Sequence, residues 1–256
     1  MKMLRLFCFA AVCAAFLLPA CGPGQTADER MQKSMTAAKA GNWELALDEA
    51  RKAVKKDSGN TLANVLLAIA LENNSHPEEA LKAAKKAAES DKACFIAQYT
   101  LGRLCCRQQK YADCIEPLTR AMEIRPDDTN TIILLARAKT RMNNFEEAIN
   151  LYRRLLEFPE FSDSAMLYNE IGVLHVRKNE PDMAPADFQR AFLKDSENPI
   201  PHLNYAILYD YYLRNRRDSA DRVAREHYQK FLNKTANRPE LGDERRDVEK
   251  RLKEIR

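Results

Sequence analysis

Apolar residues recur at helical spacing in two neighbouring segments near the middle of the chain, Phe95 to Gln108 and Tyr111 to Arg125. A short polar break at Gln109-Lys110 separates the two segments. Counted from Phe95, the eighth residue is small (Gly102), and so is the twentieth (Cys114). A period near 3.6 on both sides of a polar break predicts two helices joined by a tight turn, which form a hairpin of about 34 residues.

The same pattern repeats along most of the chain, and each copy has a small residue at its eighth and twentieth places. At place eight these residues are Ser34, Ala68, Gly102, Ala136, Gly172 and Ala206. At place twenty they are Ala46, Ala80, Cys114, Ala148, Ala184 and Ala224. Small residues allow two antiparallel helices to cross closely, where a larger side chain would push the backbones apart. The spacing predicts units at 27–60, 61–94, 95–128, 129–162, 165–198 and about 199–238.

The order of these residues resembles the tetratricopeptide repeat, with Leu101-Gly102, the small residue at place twenty and the closing Pro126 in the third unit. The resemblance implies an all-α fold, a right-handed α-solenoid of about six helix–turn–helix units over residues 27–236, which binds a protein partner. After Pro239, apolar residues recur at helical spacing among charged ones, which predicts a capping helix over 239–256.

The N-terminal segment differs from the rest of the chain. Two basic residues precede an uncharged stretch from Leu6 to Leu18, which is shorter than the roughly 20 residues that span a bilayer. This pattern predicts a secretory signal peptide over 1–20. Leu18-Pro19-Ala20-Cys21 resembles the lipobox of bacterial lipoproteins, which implies lipidation of Cys21, a flexible tether over 21–26 and an outer-membrane lipoprotein facing the periplasm. Cleavage without lipidation, which would give a secreted or periplasmic protein, and an uncleaved anchor are the alternatives.

Charge and composition give no indication of nucleic-acid binding or catalysis. The formal charge is +4, and about +2 without the two basic residues of the signal peptide, so we expect no nucleic-acid partner. The 7 glycines form no phosphate-binding loop, and the 4 histidines are scattered. We therefore expect no enzyme activity, no metal and no cofactor.

Four cysteines lie in or beside the third unit: Cys94, Cys105, Cys106 and Cys114. Cys105 and Cys114 occupy places eleven and twenty, which face each other across the hairpin, so they are candidates for a disulfide in an oxidising compartment. Other pairings remain open. The alternative is that these are small buried thiols at tightly packed places.

The resemblance also implies which side chains could contact a partner, because places 2, 5, 9, 12 and 13 of the first helices line the concave face in this family. On this chain the side chains predicted to line that face are five arginines and their apolar neighbours, which we call the groove set: Tyr99, Arg103, Arg107, Ile133, Arg137, Arg141, Met166, Val173, Arg177 and Tyr211. Arginine can hold a carboxylate through two hydrogen bonds, so the predicted ligand is an acidic segment or a carboxyl terminus of a protein. The alternative is an ordinary solvated face.

The function predicted from these patterns is that of a non-enzymatic, exported and lipid-anchored scaffold for a protein partner. The combination of lipobox and repeats resembles the lipid-anchored repeat proteins of type IV pilus biogenesis, where such a protein helps the secretin ring assemble, and of bacterial outer-membrane assembly. A structural or oligomerising spacer of the envelope is one alternative. An accessory subunit of a peptidoglycan- or polysaccharide-handling complex is another.

Overall fold

The computed structural model describes residues 26–216 and 218–255. Within these residues the chain is all-helical and contains no strand, which confirms the predicted fold class. The predicted signal peptide over 1–20, the lipidation site Cys21 and most of the predicted tether lie outside the described residues. Thr26, the last residue of that tether, is described and caps the first helix, where its hydroxyl accepts from the backbone N–H of Glu29.

Thirteen α-helices lie within the described residues. The first seven are α1 Ala27–Lys39, α2 Trp43–Lys56, α3 Thr61–Asn73, α4 Pro77–Ser90, α5 Phe95–Arg107, α6 Tyr111–Ile124 and α7 Thr129–Arg141. The other six are α8 Phe145–Leu155, α9 Ala165–Arg177, α10 Ala184–Lys194, α11 Ile200–Ile207, α12 Ala220–Lys234 and α13 Gly242–Glu254. A π-helical turn, Leu208–Tyr212, follows α11, and a 3-10 turn, Pro239–Leu241, precedes α13.

Contacts divide the chain into two compact units, Met1–Ala138 and Lys139–Arg256. In the described part of the first unit, the hairpins α1/α2, α3/α4 and α5/α6 pack in succession, and the first helices α1, α3 and α5 also contact one another. In the second unit, α8 packs on α9, α9 on α10, α10 on α11, α11 on α12 and α12 on α13.

The turn inside each of the first five hairpins has the same geometry. At place fifteen the backbone takes a positive φ, at Gly41, Ser75, Gln109, Asn143 and Asn179. The next residue then donates its N–H to the carbonyl five residues earlier, for example from His76 to Leu71 at 2.9 Å. This is the Schellman motif, which satisfies the last carbonyls of a helix. The positive φ is unstrained for glycine but costs free energy for serine and glutamine.

The small residues at places eight and twenty are all buried, and two glycines show why size matters there. A Cβ on Gly102 would lie 2.5 Å from Cγ of Leu118, and a Cβ on Gly172 would lie 2.8 Å from Cε1 of Phe188. Real carbon atoms do not approach that closely, so each glycine lets the facing helix pack directly against its backbone.

The two units have different cores. The core of the first unit is rich in alanine, with larger side chains such as Met31, Leu66 and Leu104 between the helices. The core of the second unit contains large aromatic side chains, among them Phe188 and Phe231. Burial of such aromatic area strengthens the packing around α11 and α12.

The extra residues of the sixth hairpin form the π-helical turn, which holds the C-terminal helix. Asp210 in this turn is buried and accepts two hydrogen bonds from Arg251 of α13, at 2.7 Å to Nε and 2.7 Å to Nη2. The hydroxyl of Tyr228 donates to the same carboxylate at 3.1 Å. Val248 and Ile255 are buried in the core of the second unit. The C-terminal helix is therefore fixed by an ion pair and by apolar burial.

Candidate partner-binding face

In the first unit, two arginines of the groove set surround one carboxylate. Arg103 on α5 donates to Glu72 on α3 from Nη1 at 2.8 Å and from Nη2 at 2.5 Å. Arg107, one turn further along α5, donates to the same carboxylate. The Glu72 side chain is buried, whereas that of Arg107 is 57% exposed. Glu72 therefore balances only part of the positive charge on this face.

Arg137 on α7 adds a further positive charge to the first unit. Its side chain is exposed, and it forms no ion pair with any residue that the structure describes. The guanidinium lies close enough to Cys106 on α5 to contribute to the lowered pKa of that thiol. Arg107 and Arg137 are thus the accessible cations of what we call the arginine face, which comprises Arg103, Arg107 and Arg137.

Tyr99 does not belong to an accessible face, which corrects the prediction from its place in the repeat. It is only 6% exposed, and its ring stacks on Phe95 with centroids 5.7 Å apart. Leu134 of α7 packs against the same cluster. The side chain fills the core between α5 and α7, since an aromatic ring gains more by burial there than by exposure. Ile133, also in the groove set, is partly buried.

The remaining members of the groove set lie in the second unit. Arg141 is exposed. Arg177 is exposed as well; its guanidinium lies 4.7 Å from the ring centre of Phe145 and donates to Asn143 at 3.1 Å. This geometry favours a cation–π contact.

Among the apolar residues of the groove set in the second unit, some side chains are exposed and others are packed in the core. Met166 is 56% exposed and Tyr211 is 62% exposed. Arg251 lies over the Tyr211 ring at 5.2 Å from its centre. Val173 is partly buried and packs against the aromatic core, so it is less accessible than predicted.

All four described cysteines are free thiols, so the Cys105–Cys114 disulfide is not formed in this structure and stays a prediction. The buried thiol of Cys114 donates a hydrogen bond to the carbonyl of Lys110 at 3.3 Å. Cys105 is buried, and burial raises its pKa to about 11.

Two buried histidines form a contact that the sequence analysis missed. His202 of α11 and His227 of α12 lie with their Nδ1 atoms 3.2 Å apart, and Phe192 stacks on the first of them. Burial lowers the pKa of each imidazole to about 4, and the nearby Lys230 acts in the same direction. Both rings are therefore neutral at pH 7. The 25 residues that separate the two histidines in the sequence conceal this pair.

Residues 26–216 and 218–255 contain neither a metal-binding cluster nor a membrane-spanning helix. No group of three or more potential metal ligands comes together there. No helix in that range has the length and apolar character needed to cross a bilayer.

Comparison with known proteins identifies the repeat. Two family models described as "Tetratricopeptide repeat" match residues 93–160 and 133–198. No curated protein matches the chain.

Solved structures of similar fold cover most of the chain. The structure titled "Crystal structure of MamA protein" has a TM-score of 0.60 at 21% identity and covers 68% of this chain and 94% of that one. A structure of MamA from Desulfovibrio magneticus RS-1 has a TM-score of 0.58 at 18% identity, covering 69% of this chain and 99% of that one. YrrB, described as a TPR protein with an unusual peptide-binding site, has a TM-score of 0.60 at 17% identity, covering 74% of this chain and 93% of that one. The family models therefore show that residues 93–198 consist of tetratricopeptide repeats, and the solved structures show that the same kind of fold extends over most of the chain.

Proposed function

We propose that this protein is a non-enzymatic scaffold that binds an acidic segment of a protein partner on the arginine face of its first unit. The observation that carries the proposal is the pair of exposed guanidinium groups on neighbouring first helices, Arg107 on α5, which shares the buried carboxylate of Glu72 with Arg103, and Arg137 on α7. A peptide-binding site in the similar protein YrrB supports a peptide as the ligand.

The charges of the face favour an anionic ligand of extended shape. Glu72 is occupied by two arginines, so it offers little repulsion to a second carboxylate at Arg107. An exposed ion pair contributes about 0–1 kcal/mol, so useful affinity requires several carboxylates along one peptide. The salt dependence of such binding follows from the screening of exposed charges.

A solution binding experiment tests the proposal. The probe is a short fluorescent peptide of alternating glutamate and serine, and its lysine–serine counterpart is the comparison. We expect the full chain to bind the acidic peptide, with affinity falling as salt rises, and to bind the basic peptide much more weakly.

Matched charge reversals locate the site. The double variant Arg107→Glu, Arg137→Glu should abolish binding of the acidic peptide. The control Lys82→Glu, Lys85→Glu changes the net charge equally on exposed residues of α4 and should retain binding. Equal losses in the two variants would show a general charge effect and remove the proposed site. Arg103 is left intact, because its reversal would place a second anion against buried Glu72.

Self-association is the second candidate, favoured by exposed apolar side chains in the second unit. Met166 is 56% exposed and Leu193 is 77% exposed. Apolar contacts of this kind strengthen or stay unchanged as salt rises. Sedimentation of the full chain over a range of concentrations at two salt levels therefore separates an oligomerising spacer from a monomer that binds acidic peptides.

We also propose export and lipid anchoring through Cys21, which rest on the signal-peptide pattern and the lipobox resemblance alone. The intact mass of the mature chain is the test. A mass that begins at Cys21 with added acyl groups supports the anchor. An unmodified N-terminus, or an intact leader, refutes it.

A further inference from the structure

An internal carboxylate in the first unit shows how an arginine on a first helix binds such a group. Glu72 lies at place twelve of the second hairpin, and Arg103 lies at place nine of the third. The two Nη atoms of Arg103 each donate to one oxygen of Glu72, at 2.8 Å and 2.5 Å, which is the paired geometry that guanidinium and carboxylate groups favour. Because the Glu72 side chain is only 6% exposed, Arg103 has its carboxylate inside the protein.

One repeat later, the corresponding places hold an arginine and a cysteine. Arg137 lies at place nine of the fourth hairpin and Cys106 at place twelve of the third, each 34 residues after its counterpart. The first helices α3, α5 and α7 also begin and end at corresponding places, so the spacing of the helices matches the spacing of the sequence.

The packing between successive hairpins is equivalent as well. Leu66, at place six of the second hairpin, lies in one buried cluster with Met31, at place five of the first. Leu134, at place six of the fourth hairpin, packs against the cluster that contains Tyr99, at place five of the third. Neighbouring first helices therefore keep a common register in the first unit.

We propose that the residue at place twelve determines which arginine of the arginine face is open to a ligand. Glu72 occupies Arg103, whereas Cys106 has no carboxylate and leaves Arg137 to bind a carboxylate of the partner in the same paired geometry. The side chain of Arg137 is exposed and forms no ion pair with any residue in the described part of the chain. The identity of the ligand rests on the proposed function, but the pairing of places nine and twelve does not.

A carboxylate supplied by the chain itself tests the pairing. In Cys106→Glu the introduced carboxylate should pair with Arg137 and lower the affinity for the glutamate–serine peptide by about tenfold, the loss expected for one charge-assisted pair. Cys106 is partly exposed, so the longer side chain has room. An unchanged affinity in Cys106→Glu would overturn the inference.

Two controls separate pairing from size and from net charge. Cys106→Gln has nearly the same shape without the charge, and Ala112→Glu adds the same charge on an exposed residue of α6. Both should bind the peptide as the parent does. A loss in either control as large as in Cys106→Glu would overturn the inference. Circular dichroism checks the helical content of each variant.

The converse substitution opens the occupied arginine. Glu72→Gln removes the negative charge beside Arg103 and should raise the affinity for the acidic peptide by up to about tenfold. A lower affinity would show that Glu72 positions the arginines instead of competing with the ligand, and would overturn its assigned role.

NMR of the free protein distinguishes a failure of this inference from a failure of the proposed function. Without any peptide, the Nε–H signal of Arg137 should shift in Cys106→Glu and stay unchanged in Cys106→Gln. An unchanged signal in Cys106→Glu would refute the pairing, whatever the peptide does. A shifted signal in a protein whose parent binds no acidic peptide would support the pairing and refute the proposed function.

Discussion

Replacing Gly102 with alanine tests the close crossing of α5 and α6. The new Cβ would lie 2.5 Å from Cγ and 2.6 Å from Cδ2 of Leu118, whose side chain is fully buried. Two non-bonded carbon atoms rest about 3.5–4.0 Å apart, so Leu118 or the whole of α6 has to move by about 1 Å. The backbone nitrogen of Leu118, 3.4 Å from the same point, limits how far the helix can rotate instead.

Two opposing effects determine how much Gly102→Ala changes the free energy of unfolding. Overpacking a core costs about 1–3 kcal/mol, while exchange of glycine for alanine inside a helix gains about 1 kcal/mol. We therefore expect Gly102→Ala to lower the free energy of unfolding by up to about 2 kcal/mol. Leu118→Ala alone should cost about 2–5 kcal/mol, because it leaves a cavity. In that background the new methyl group has room, so Gly102→Ala should then raise the free energy of unfolding by up to about 1 kcal/mol.

Urea unfolding tests whether the effect of Gly102→Ala changes sign between the two backgrounds. It is measured on the parent, the two single variants and the double variant. Free energies are compared between proteins whose urea dependence, the m value, is the same. Gly242→Ala is the matched control, because its Cβ would lie 3.8 Å from Nη1 of Arg246, which is ordinary van der Waals contact, and the substitution should cost nothing. An equal effect of Gly102→Ala in both backgrounds would refute the claim that contact with Leu118 demands glycine there.

Three further predictions concern the buried histidines, the turns and the C-terminal helix. His202 and His227 have pKa values of about 4 in the folded protein, below the ordinary 6.5, so the unfolded chain binds protons first as the pH falls. The free energy of unfolding should therefore be at its full value above pH 6.5 and fall by about 2 kcal/mol per histidine between pH 7 and pH 5. The fall should be smaller in His227→Phe, which keeps only one of the two histidines. Urea unfolding at the two pH values checks this, and an identical drop in His227→Phe would contradict it. Gln109→Gly should raise the free energy of unfolding by about 0.5–1 kcal/mol, because φ at this residue is 59°, which strains a glutamine but not a glycine. Gln108→Gly, at a residue with negative φ, should lower the free energy of unfolding. A loss of stability in Gln109→Gly would contradict the claim that the positive φ strains the turn. Asp210→Asn removes the anion that pairs with the Arg251 guanidinium on α13. The variant should lower the free energy of unfolding by about 2 kcal/mol, less than the loss of a partner from a fully buried ion pair, because the Arg251 side chain is partly exposed. It should also speed amide hydrogen exchange in α13, and unchanged exchange would show that apolar burial alone holds the helix.

The helical hairpins could be predicted from the sequence because their cause is local and repeated. Small residues at places eight and twenty are visible without any knowledge of their partners, and a period near 3.6 assigns the helices around them. The turn residues were less accessible to prediction. Gly41 signals a positive φ by its type, but Ser75 and Gln109 take the same φ only because the helices on both sides impose it.

The accessible surface could be predicted only in part, since a place in a repeat fixes which side of a helix a residue lies on but not what faces it. Arg103 was expected to be free for a ligand, yet it is paired with Glu72, 31 residues earlier. Tyr99 was expected beside the ligand, yet it packs on Phe95 and is buried.

The central claim, that the arginine face of the first unit binds acidic segments, is tested most directly by an NMR titration of the isotope-labelled full chain with the glutamate–serine peptide. The account predicts that the largest shifts occur at the Nε–H groups of Arg107 and Arg137 and at neighbouring amides of α5 and α7, and that they disappear at high salt. Shifts concentrated on the second helices α4 and α6, or no shifts at peptide concentrations that saturate binding, would contradict it.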